Sequence, residues 1–175
     1  MLDKPFEHHL EEEDGSIRAG SHRINLMKGE ITMASILAVN ISEKKRVAKS
    51  PIEKGYFEVN HGLVGDVHAG KGNRQVSLLG QETIAKMKKS GIKGFCTVKF
   101  TENLTTEGIV LYELTVGTKM KIGEVFLEVT QIGKECHQGC EIRKLVGDCV
   151  MPREGIFVKV LKAGWIKKGD EIEIL

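Results

Sequence analysis

The chain has 175 residues, 26 Lys and Arg against 24 Asp and Glu, a formal charge of +2 and 41% hydrophobic residues. That length suits one domain able to bury a core, the charge is too small to recruit nucleic acid or an anionic membrane, and no apolar run approaches the ~18 residues of a spanning helix. The first residues lack the basic-then-apolar order of a secretory signal, so the four cysteines read as reduced thiols of a cytoplasmic protein rather than a disulfide framework.

Residues 1–32 carry an acidic run from Glu11 through Asp14 and three solvated histidines, His8, His9 and His22. They are expected to form a disordered extension or an appended leader, with one domain over 33–175. The first predicted strand covers 34–40. A charged turn at 42–46 follows, and then a short strand over 56–59.

Residues 61–77 form a glycine-rich stretch in which Gly62, Gly65, Gly70 and Gly72 allow close backbone approach to a ligand. Its amides can make an anion-binding concavity, and Arg74 adds a planar fork suited to phosphate or carboxylate. A flexible hairpin with scattered polar residues is the bland alternative. It is not a P-loop, since no Gly-Lys-Ser/Thr ends it before a helix.

The best predicted helix is 78–90, with Leu79, Ile84 and Met87 on one face, Lys86, Lys88 and Lys89 in the last turns and Gly91 as cap. Residues 94–100 alternate as a strand carrying Cys96, most simply a small buried hydrophobe. Residues 101–106 read as a polar loop in which Glu102 and Asn103 hydrogen-bond a turn. Beyond Gly108 the pattern is strands and tight turns: 109–111, 119–122, 125–129, 155–161, 164–166 and 169–174. Many short strands with few helices predict a mainly β fold, a closed or nearly closed β-barrel with small helical insertions.

The densest chemistry lies at Cys136, His137, Cys140 and Cys149. A short helix is expected over 141–146, which places Cys140 at its N-terminus, where the backbone dipole favours the thiolate. Three alternatives stand: a structural zinc site from Cys136, Cys140, Cys149 and His137, inert buried thiols, or a thiolate that binds a soft metal or carries sulfur as a persulfide. His68 and His137 are candidates for proton transfer or hydrogen bonding. Arg153 and Glu154 pair or cap locally unless their closeness to Cys149 draws them into the site.

Several separated motifs together resemble the MOSC domain family, the domains similar to the C-terminal part of molybdenum cofactor sulfurase. They are Gly65-Asp66-x-His68, Arg74-Gln75-Val76-Ser77-Leu78-Leu79 with Glu82, the 101–106 stretch, Cys136-His137-x-x-Cys140, and residues 147–157. The match is nearest the short, stand-alone bacterial members. The resemblance implies a barrel-like fold and binding of the molybdenum cofactor (molybdopterin). It maps the family cysteine, molybdenum ligand or sulfur carrier, to Cys140, with Cys136 as runner-up. It makes Gly65, Asp66, His68, Arg74, Gln75, Ser77, Glu102, Asn103 and Arg153 candidates for the pterin and its phosphate. No pyridoxal-phosphate domain precedes these motifs in the sequence, so a separate cysteine desulfurase or a recipient molybdoenzyme is the expected protein partner. The implied function is a cofactor carrier or sulfurating protein. The alternatives are a molybdenum-dependent reductase of N-oxygenated small molecules and a zinc-stapled interaction module.

Overall fold

The computed structural model describes residues 16–19, 22–27, 30–45, 47–89, 101–134 and 153–175. Strands β1 (Ser16–Ala19), β2 (His22–Met27) and β3 (Glu30–Thr32) make a separate antiparallel meander. After it come β4 (Ser35–Ile41), β5 (Ser50–Ile52), β6 (Lys54–Glu58), β7 (Gly62–Leu63) and β8 (Val76–Gly80). Helix α1 (Gln81–Lys89) is followed by β9 (Leu104–Glu107), β10 (Lys119–Ile122), β11 (Val125–Ile132), β12 (Ile156–Lys162), β13 (Gly164–Lys167) and β14 (Ile172–Ile174). The fold is mainly β, as expected.

The principal sheet has the order β14-β10-β11-β12-β8-β9-β4-β5, and β13-β6-β7 form a smaller one. Alternation builds the core: Val125, Leu127 and Val129 of β11 are fully buried beside Val158 of β12 and Met120 of β10. Each such side chain stabilises the fold by about 1.5–3 kcal/mol relative to exposure. The sheet does not close into a barrel through a continuous ladder. Its ends meet instead along a short seam, where Ile36 N–H donates to Asp170 O (2.9 Å), Gly169 N–H to Ile36 O (2.8 Å) and Ile172 N–H to Ala34 O (2.8 Å). The first and third of these bonds form an isolated antiparallel bridge of Ser35 with Glu171.

Three local expectations differ from the structure. The helix begins at Gln81 rather than 78, because Leu78 and Leu79 are both fully buried and β8 is covered on both faces. Residues 104–106, expected within the loop at 101–106, belong to β9, which pairs in parallel with β8 in the register Leu78 to Leu104. Parallel neighbours require a crossover, and α1 lies within it. The strand expected at 109–111 is replaced by a single 3-10 turn, Leu111–Glu113. The strand expected at 94–100 and the helix at 141–146 lie outside the described residues.

Candidate functional site

Asp66 anchors the glycine-rich stretch. Its carboxylate is buried, with Oδ2 accepting from Ser42 N–H (2.9 Å) and ion-paired to the buried Lys49 Nζ, while Oδ1 accepts from His68 N–H (2.9 Å). His68 Nδ1 lies 3.3 Å from Oδ1, and its side chain is about half exposed at 51%. Burial by itself would raise the Asp66 pKa. The Lys49 hydrogen bond, the Ser42 and His68 amides and the Lys49 charge together outweigh it, so the carboxyl titrates below its ordinary range. Gly65, at φ +87, makes the turn that aims Asp66 inward.

Gln75 is a second internal tie. Its Nε2 donates to Gly72 O (2.9 Å) and its Oε1 accepts from Val160 N–H (3.0 Å). Chain packing at this point is tight: a Cβ on Gly62, itself at φ +103, would stand 2.3 Å from Gln75 O. Arg74, by contrast, is exposed, its guanidinium carbon 5.8 Å from the centre of the Phe157 ring. Around Gly70 and Gly72 a Cβ would meet nothing within 4 Å, so the surface beside Arg74 is open.

Ser77, Glu102 and Asn103 share a buried polar seam where β4, β8 and β9 meet. Ser77 N–H and Oγ both donate to Asn103 Oδ1 (3.2 and 3.0 Å), and Asn103 Nδ2 donates to Asn40 O (3.4 Å). Glu102, fully buried, accepts from Thr105 Oγ1 (2.5 Å), Thr101 N–H (2.9 Å) and Thr101 Oγ1 (3.1 Å). Asn40 Nδ2 donates to Thr105 Oγ1 (3.0 Å), while Asn40 Oδ1 is buried with no partner among the described residues. Sequence reasoning passed over Asn40. Its signal was a polar side chain set in an otherwise apolar strand pattern, where burial demands a hydrogen-bonding reason.

Arg153 stands at the foot of the connection between β11 and β12. Gly133 N–H donates to Gly155 O (2.7 Å) across that foot, and Thr83 Oγ1 of α1 donates to Glu154 Oε2 (2.6 Å). Cys136, His137, Cys140 and Cys149 lie outside the described residues. Among the described residues no group of three or more His, Cys, Asp or Glu could hold a metal ion. The register sets Ile156 against Leu78 and Val158 against Val76. The connection's foot and the Arg74 turn therefore leave opposite ends of β8, about 13 Å apart along the strand, with the Ser77–Asn103 pair between them.

A model of the MOSC domain matches residues 65–173. The chain belongs to the MOSC domain family. The stretch so matched takes in the Asp66 turn, Ser77, Glu102 and Asn103 of the polar seam and the cysteine segment, and the family is associated with the molybdenum cofactor. Among solved structures, the YuaD protein of Bacillus subtilis is 19% identical with a TM-score of 0.65, over 82% of this chain and 96% of that one. YiiM of Geobacillus stearothermophilus is 18% identical with a TM-score of 0.57, over 81% and 75%. YiiM of Escherichia coli is 14% identical with a TM-score of 0.58, over 81% and 69%. At these identities the likeness is one of fold. Comparison with curated proteins gives no match. Among the described residues no helix is long and apolar enough to cross a membrane.

Proposed function

We propose that this MOSC chain binds the molybdenum cofactor in the cytoplasm and carries or sulfurates it, with the Cys140 thiolate as metal ligand or persulfide carrier. The observation that carries this reading is the extent of the family match, which encloses both the Arg74 turn and the cysteine segment. The donor set around the turn fits an anionic, polar-edged ligand. Arg74 is exposed and stacked on Phe157, Gly72 leaves the surface open, and His68 is held by Asp66 with about half its side chain in solvent. Arg74 and the neighbouring amides would hold a phosphate. Asp66, Gln75, Ser77, Glu102 and Asn103 would set the positions of these groups through their internal bonds, and Arg153 would stand where the cysteine segment rejoins the sheet. When bound, the cofactor supplies a metal centre with affinity for soft sulfur ligands. Residues 33–175 are the unit assigned to this work, and a cysteine desulfurase or recipient molybdoenzyme is the partner class.

The test is metal analysis of protein purified from a host that makes the cofactor. Molybdenum near one equivalent is expected, falling at least tenfold in Cys140→Ser and retained in Cys136→Ser. Equal retention in both variants removes the Cys140 assignment, and stoichiometric zinc in place of molybdenum removes the function.

A further inference from the structure

The turn from β8 into α1 gathers three oxygens that the function above does not use. Gly80 ends β8 and lies opposite Thr106 of β9 in the parallel register. The three atoms nearest to a Cβ built on Gly80 are all oxygens: Glu82 Oε2 at 3.0 Å, Ile109 O at 3.5 Å and Thr106 Oγ1 at 3.9 Å. Glu82 Oε1 already accepts from Gly108 N–H (2.5 Å), whereas Glu82 Oε2 and Thr106 Oγ1 are buried with no partner among the described residues. Thr106 is fully buried. Leaving a buried polar atom unsatisfied costs about 1–3 kcal/mol, so two of them facing one space point to a bound group.

We infer that these oxygens hold one ordered water, which donates to Glu82 Oε2 and to Ile109 O and accepts from the Thr106 hydroxyl. The chemistry of the three oxygens selects that occupant. A carboxylate and a carbonyl only accept, a hydroxyl can donate, and water supplies two donors and an acceptor to match. A buried water takes about three polar partners, the number present. A hard cation gathers about six oxygens or more, twice what these residues offer. An apolar group would meet these three oxygens first. The water joins α1 to β9 and to the turn at 108–109.

Diffraction to atomic resolution from wild-type, Gly80→Ala and Thr106→Val crystals tests the inference, with long-lived water counted in solution by oxygen-17 relaxation dispersion. Wild type is expected to show a single peak within hydrogen-bond distance of the three oxygens. That peak and one long-lived water should be lost in Gly80→Ala, whose methyl group would stand among the three oxygens, 3.0 Å from Glu82 Oε2. Thr106→Val keeps the side-chain shape and is expected to lose or weaken the same peak, which preserves the test should Gly80→Ala fail to fold. A direct Glu82–Thr106 hydrogen bond with no peak overturns the inference. So does a peak that persists unchanged in both variants, or a melting temperature that rises in sodium or potassium chloride over choline chloride at equal ionic strength, which marks a cation.

Discussion

Asp66 holds three pieces of chain with one carboxylate: the Ser42 backbone, the Lys49 ammonium and the amide of His68. Replacing it by Asn leaves Lys49 charged and buried without its counter-ion. Breaking a buried pair in this way costs about 3–5 kcal/mol, so Asp66→Asn is expected to lower the urea midpoint by the corresponding amount. A variant as stable as wild type would show that the pair is neutralised in the fold. The pH dependence has a definite sign. Because the folded-state pKa lies below the ordinary 3.8, the unfolded chain takes up the proton first on acidification. The stabilisation is fully present above about pH 3.8 and disappears as the pH falls through the lower folded value. Urea midpoints measured down through that window should fall more steeply in wild type than in Asp66→Asn. From sequence, Asp66, Gln75, Glu102 and Asn103 stood out as polar residues among glycines and turns. Nothing in that pattern tells whether a side chain meets a ligand or its own backbone; only the geometry locates their bonds on Ser42, Val160, Thr105 and Ser77.

Single elements were legible where one face is wet. β11 alternates buried and half-buried residues, and the sequence pattern located it. β8 was hidden because both its faces are covered, so its apolar pair Leu78-Leu79 merged with the helical period of α1. β9 was hidden because its Thr105 and Thr106 look solvated in a sequence, whereas both are fully buried against neighbours. β13 is a different case, an edge strand whose outward amides find side-chain carboxylates: Trp165 N–H donates to Glu124 Oε2 (3.2 Å) and Lys167 N–H to Asp170 Oδ2 (2.9 Å). Beside that edge lie the exposed Trp165 and Tyr56, ring centres 5.2 Å apart, with Lys54 Nζ 4.6 Å from the Trp165 ring. Free amides next to exposed aromatics invite pairing with another chain. The double substitution Glu124→Ala with Asp170→Ala is therefore expected to raise self-association above wild type in sedimentation velocity. Identical sedimentation over the same concentration range would mean that the carboxylates do not guard the edge.

At the scale of the molecule, the mainly β class was visible in the recurring strands and glycine corners, but closure was not. Whether a sheet joins itself depends on a few backbone bonds between residues far apart in sequence, and no local pattern encodes them. Here residues 34–36 meet 169–172 through three hydrogen bonds, whereas β11 and β12 share a ladder from Phe126–Lys162 to Ile132–Ile156. A short seam has few neighbours to hold it when one bond breaks, while a long central ladder opens only when much of the core opens with it. Native-state hydrogen exchange should thus separate the two. The amides of Ile36, Gly169 and Ile172 are expected to exchange through a sub-global opening, several-fold to orders of magnitude faster than Val129, Val158 and Val160 in the centre. The opening should carry a small denaturant dependence, because little surface is exposed when the seam parts. If the seam amides instead exchange at the rate of the central ones, with the same denaturant slope, the ends of the sheet are joined as firmly as its middle. The protein would then behave in solution as a closed barrel.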